Sequence, residues 1–297
     1  MRRDRPRRRP IRLLSLCAVA LTSCVSITLG APLLPSTAAP SPSASPAVTP
    51  SPTPGPGEEH CTTPLSDYDL EVRSTGDVTS DDERVVSAAL RLAQSAYDVR
   101  APECEPGDVQ AVVLDRANER FAAATFVTDA PHFRIRIYAG GSAWRRTPRS
   151  QVPIIMLHEW YHVVQYSFLG CGRCHAQVRD IPEWLIEGSA EYAAARAAQD
   201  QRVLFYSFIR RYELFRAGQI ATPLERMGDA RTSADYGLSF AAVELLVSKS
   251  GPGSLLEFWQ RAGETGRWES AFPEAFGTSP AAFYRDFARY RAAGFRH

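Results

Sequence analysis

Hydrophobic and polar positions fall into three regimes along the chain. Leu13 to Leu34 is an uncharged, largely apolar run, the pattern of an export signal or of a single membrane-spanning helix. From residue 58 to 150 the periods are mixed. Ser80-Asp81-Asp82-Glu83, followed by apolar positions up to Tyr97, predicts a capped helix with acids in its first turn, where the helix dipole favours them. Val109 to Leu114 and Phe133 to Tyr138 predict strands; the second alternates Phe133 and Ile135 with Arg134 and Arg136, as a half-exposed edge does. From Val152 onward the spacing is nearly all helical, with breaks at Gly170 to Asp180, Thr222-Pro223, Gly251-Pro252-Gly253 and Gly277 to Pro280. Phe205 to Phe215 and Phe283 to Tyr290 are rich in aromatics and arginine, and their helical spacing predicts packing within a helical subdomain.

Charge sharpens this division. The formal net charge of the 297 residues is +1, but seven arginines against Asp4 in the first twelve positions make a +6 tip, and no charge follows until Glu58. The remainder carries 27 basic and 32 acidic residues, a net of −5, which argues against nucleic acid as a partner. Residues 1–12 are therefore expected to be a basic cytoplasmic tip and 13–34 a signal peptide or membrane anchor. Cleavage after Gly30 or Ala38 and lipidation at Cys24, within Leu21-Thr22-Ser23-Cys24, are the alternatives to an anchor. Each of the three places the body outside the cytoplasm. Nine of the 22 prolines lie between Ala31 and Gly57, so 35–57 reads as an extended spacer, whose use is clearest if its other end is attached to a membrane. Residues 58–297 remain, enough for one domain with a proper core: an α+β part at 58–150 and a helical part at 151–297.

The chemistry lies where the pattern turns helical. Pro153 to Val164 is strongly apolar, yet it contains His158, Glu159 and His162, which is costly in a core without compensation. Histidines four apart share one helical face and can bind one ion, while the glutamate beside the first can reach a water on that ion. This HExxH pattern supplies two ligands, and a catalytic zinc takes three. The metzincin continuation is absent, because Gln165 and Phe168 stand where Gly and His would be needed. Downstream, Glu187 and Glu191 in Pro182 to Tyr192 would share a helical face and repel. A cation between that face and the HExxH helix reverses the penalty, with Glu187 as the third ligand and Glu191 accepting from the far nitrogen of a ligand histidine.

His158-Glu159-Trp160-Tyr161-His162 followed by Trp184-Leu185-Ile186-Glu187-Gly188-Ser189-Ala190-Glu191-Tyr192 resembles the gluzincin metallopeptidases, the group of the thermolysin-like and M1-type enzymes. The resemblance covers roughly Phe133 to the C-terminus. It implies an α+β, zincin-like domain with a small mixed sheet and helices, followed by a mostly helical C-terminal part. It also implies one Zn²⁺ held by His158, His162 and Glu187, with Glu159 as general base and Glu191 behind the ligands. Tyr236 is the candidate donor to the oxyanion, and the edge strand at Phe133 to Tyr138 is the place where an extended peptide or protein substrate would add. Ala139-Gly140-Gly141-Ser142 lacks the glutamate with which the aminopeptidases of the group hold a free amine, so cleavage of internal bonds is expected. A surface-anchored binding or sensor protein that keeps such a fold is the alternative; it would have no need of Glu159.

The connection from His162 to Glu187 contains Cys171-Gly172-Arg173-Cys174-His175. The segment matches a c-type haem attachment pattern and also a redox or metal-binding C-x-x-C. A short disulfide, Cys171 with Cys174, is the plain reading in an exported protein and leaves Cys61 and Cys104 to pair. The oligomeric state is not encoded in these patterns.

Overall fold

The structure, a computed structural model, describes residues 62–102, 106–118, 122–129, 131–169 and 181–296. The basic tip, the apolar run and the spacer lie outside these residues, as do Cys61, Cys104, Cys171, Cys174 and His175 with the pairings expected of them. Among the described residues no helix is long and apolar enough to cross a membrane.

In chain order the elements are β1 (Thr63–Pro64), β2 (Asp69–Thr75), α1 (Ser80–Ala96), β3 (Arg100–Ala101), β4 (Asp108–Leu114), β5 (Ala123–Asp129), β6 (His132–Tyr138), α2 (Ser142–Arg146), α3 (Val152–Leu169), α4 (Glu183–Asp200), α5 (Tyr206–Ala217), α6 (Ser233–Ser250), α7 (Ser254–Thr265), α8 (Trp268–Phe276) and α9 (Pro280–Ala292). The fold is α+β, a small mixed sheet with helices followed by a mostly helical C-terminal part. The sheet order is β2-β4-β6-β5. β2 and β4 are parallel because α1 carries the chain back between them, β4 and β6 are parallel, and β5 closes the sheet antiparallel to β6.

Alternation sets the two faces. Val109, Ala111 and Val113 of β4 and Phe133, Ile135 and Ile137 of β6 are buried, and α1 and α3 lie against the sheet. On the other face Arg136 stacks over Phe126 at 4.6 Å and Arg134 donates to Gln110 at 3.3 Å. β6 is therefore not the edge expected of Phe133 to Tyr138; it is an inner strand, and the edges are β2 and β5. The arginines that read as an edge report one half-exposed face, which period-2 alternation also produces in an inner strand. β5 escaped notice because Ala123, Ala124 and Thr125 are all buried and show no alternation.

Helix α1 starts one residue earlier than its acids imply: Thr79 is the cap and accepts from the Asp82 amide at 3.1 Å. Asp82 then accepts from Trp144 Nε1 at 2.9 Å and pairs with Arg149 at 2.6 Å, which ties the start of α1 to the turn that leads into α3. At its other end Tyr97 donates its hydroxyl to the Leu157 carbonyl at 3.0 Å. Helix α3 is thus fixed from both ends of α1, next to His158.

The expected breaks at Thr222-Pro223, Gly251 to Gly253 and Gly277 to Pro280 separate α5 from α6, α6 from α7 and α8 from α9. Phe283, Phe287 and Tyr290 pack as expected. The expectation for Phe205 to Phe215 is half wrong: Ile209 and Ala217 are buried, while Phe205, Phe208 and Phe215 are exposed. Helical spacing shows that such residues share a face and does not say which face turns inward.

Candidate metal centre

Helix α3 is buried on nearly all sides, and His158, Glu159 and His162 are 2%, 0% and 3% exposed. One turn separates the two imidazoles, so their Nε2 atoms face each other at 3.0 Å. Helix α4 brings Glu187 to them, its Oε2 lying 3.2 Å from His158 Nε2 and 3.6 Å from His162 Nε2. Ligand atoms of all three residues fall within 4.8 Å of one another.

These residues fit a divalent cation. Glu187 Oε2 is buried between two imidazole nitrogens and has no hydrogen-bond partner, an arrangement that is costly unless a cation completes it. Two imidazoles and one carboxylate are the donor set of catalytic zinc. Without an ion, a proton takes that place. Burial alone would depress His162, but Glu187 outweighs it and, with Glu159 and Gln165, raises the imidazole to about 9. Burial would raise Glu187, but His162 and then His158 hold the carboxyl down to about 2.

Four further buried side chains lie at or near these residues, and the sequence pattern points to none of them. Gln165, 0% exposed, gives its Nε2–H to the Ile186 carbonyl at 2.8 Å and therefore turns its Oε1 to His162 Nδ1 at 2.7 Å. A carbonyl can only accept, so the amide orientation is determined. Nδ1 then carries a proton, and Nε2 is left facing Glu187 to take the ion or, without one, a second proton. Thr125 of β5 donates its hydroxyl to Glu159, with Oε2 at 2.7 Å and the Glu159 carbonyl at 3.0 Å. Arg216 Nη1 grips both oxygens of Glu213 at 2.7 and 2.8 Å, with both residues buried. Burial, and the nearby Glu191 charge, push Glu213 up to about 8 against the pull of Arg216.

Glu191, expected to accept from the far nitrogen of a ligand histidine, has its Oε1 3.9 Å from His158 Nδ1. That distance is beyond a hydrogen bond, and His158 Nδ1 has no hydrogen-bond partner. Tyr236 is brought to the site, its ring 6.3 Å from that of His158 and 1% exposed. A capping box positions it: Thr232 and Asp235 exchange bonds at 3.3 and 2.7 Å and start α6 at Ser233, three residues before the tyrosine. A separate cavity of about 550 Å³ lies between Asp77, Asp115, Gly140 and Trp144, away from the three ligands.

No protein-family model matches the chain, and no curated protein does. Among solved structures it is similar to an M1 zinc metallopeptidase from Deinococcus radiodurans, at 15% identity over 80% of this chain and 51% of that one, with a TM-score of 0.45. It is also similar to a two-domain M1 zinc metallopeptidase bound to L-tryptophan, at 16% identity over 76% and 50%, with a TM-score of 0.46. The chain spans about half the length of each. A likeness at this level transfers no residue roles.

Proposed function

We propose that the chain is a zincin-like, zinc-dependent peptidase that cleaves internal peptide bonds outside the cytoplasm, held to a membrane through residues 13–34. The observation that supports it best is the buried, unpartnered Glu187 oxygen between His158 Nε2 and His162 Nε2, with Glu159 beside them on the same helix.

His158, His162 and Glu187 would hold the ion. Bound there, zinc would polarise a scissile carbonyl and acidify water. Glu159, aimed by Thr125, takes the proton of the attacking water and delivers it to the leaving amine. A purely structural site has no use for this fourth group. Tyr236 is the candidate donor to the oxyanion. The edge strand β5, joined to Glu159 through Thr125, is the place for an extended peptide to add, so the substrate main chain would lie beside the base.

Zinc content and cleavage of a mixed peptide library, compared between the full chain and Glu159→Gln, test this reading. The variant should keep one zinc and lose hydrolysis by about 100-fold or more, and products should arise from internal bonds. Equal cleavage by both would remove Glu159 from the mechanism, and stepwise loss of N-terminal residues would replace the internal specificity.

A further inference from the structure

Helix α5 turns its aromatic side outward. Ile209, Glu213, Arg216 and Ala217 face the protein, whereas the exposed large apolar side chains among the described residues are Phe205 (78%), Phe208 (38%) and Phe215 (65%). All three belong to this one helix and the residue that caps it. Phe208 and Phe215 are seven apart, two turns along the same face. Single exposed apolar residues are ordinary; a file of them on one helix marks a contact surface.

Along residues 202–217 the exposed charge has one sign. Arg202, in the turn before the helix, is exposed, and so is Arg211, whose guanidinium lies 5.7 Å from the Phe208 ring. Glu213 is the sole acid in 202–217 and is 0% exposed. An aromatic face with exposed arginines, whose nearest exposed acid along the chain is Asp200 at the end of α4, suits the boundary of a bilayer with anionic headgroups. It disfavours a second copy of itself, because like charges would meet across the symmetric contact.

The chain upstream points to the same occupant. Residues 35–62 separate the apolar run from β1, and 28 residues reach at most about 100 Å when fully extended. A domain leashed at that distance meets the bilayer at high effective concentration, so a contact too weak to hold alone suffices as the second of two attachments.

We infer that the Phe205, Phe208 and Phe215 face of α5 docks on an anionic bilayer, the rings entering the interface while Arg202 and Arg211 meet headgroup phosphates. This rests on the membrane reading of residues 13–34 and is independent of the peptidase chemistry.

The test is amide hydrogen exchange across α5 in the full chain, reconstituted in phosphatidylcholine vesicles and in phosphatidylcholine–phosphatidylglycerol vesicles, with flotation as the check on anchoring. Exchange should slow severalfold on the anionic vesicles alone, and Phe208→Ser with Phe215→Ser, both at exposed positions, should abolish the slowing while flotation persists. Flotation with unchanged α5 exchange on both vesicles, or equal slowing on both, overturns the docking and leaves the anchor standing. Failure to float overturns the anchor reading and the docking with it. Slowing in lipid-free detergent together with a doubled mass replaces the bilayer with a second copy.

Discussion

Gln165 holds two candidate ligands with one side chain, because its oxygen fixes the tautomer of His162 while its nitrogen grips the backbone immediately before Glu187. Gln165→Met keeps the volume but leaves His162 Nδ1 and the Ile186 carbonyl unpaired. Zinc affinity should fall by about 10–100-fold, measured by competition with a chromogenic chelator. The proton that replaces the ion makes a second prediction. His162 is raised from 6.5 to about 9, so its contribution to the metal-free fold is complete below about 6.5 and is lost as pH rises through about 9. Glu187 is lowered from 4.5 to about 2, so its contribution is present above about 4.5 and is lost as pH falls toward 2. Between those limits zinc must displace a proton, and apparent affinity should rise about tenfold per pH unit from 7 toward 9, then level off. Calorimetric titration in buffers of different ionisation enthalpy should show about one proton released at pH 7.5. That His158, His162 and Glu187 come together was legible because helix geometry converts fixed spacings into shared faces. Gln165 was not, since a glutamine three residues past a histidine is ordinary in any helix; Thr125 lies 34 residues away from its partner.

At the scale of elements, two glycines set how closely the helices approach. A Cβ on Gly188 would stand 2.4 Å from the Ser239 carbonyl, and one on Gly237 would stand 2.6 Å from the Glu213 carbonyl. Both sit inside helices, where glycine costs about 1 kcal/mol relative to alanine; close crossing of α4 and α5 over α6 is what offsets it. Gly188→Ala should destabilise by about 1–3 kcal/mol in urea unfolding. Because Gly188 follows Glu187, the same change should weaken zinc binding. The helical breaks were readable because Gly and Pro punctuate the chain, and strands β4 and β6 because they alternate. Strand order was not: β5 is buried through its first half and has no period, so the neighbour that makes β6 an inner strand left no trace in the pattern.

Across the whole molecule, the sheet half and the helical half meet at α3, and the candidate site takes Thr125 from the first and Glu187, Glu191 and Tyr236 from the second. An ion there stabilises only the assembled form. Removal of zinc by a chelator should therefore lower the thermal midpoint by about 5–10 °C, the shift expected when a ligand present at about 100 times its Kd is withdrawn from a domain of this size. Scanning calorimetry with and without added zinc measures it. Such coupling was not visible in composition, which records the acids but not that Glu159, Glu187, Glu191 and Glu213 are buried together. The Thr125 hydroxyl has one hydrogen and two acceptors on the same glutamate, the carboxylate and the backbone carbonyl. When Glu159 takes up a proton, the hydroxyl can rotate about its C–O bond toward the carbonyl and accept from the new carboxylic acid. In the proposed reaction strand and helix then need not move between the two halves of a turnover, and the reset after each cycle is a torsional flip on the timescale of a side-chain rotamer.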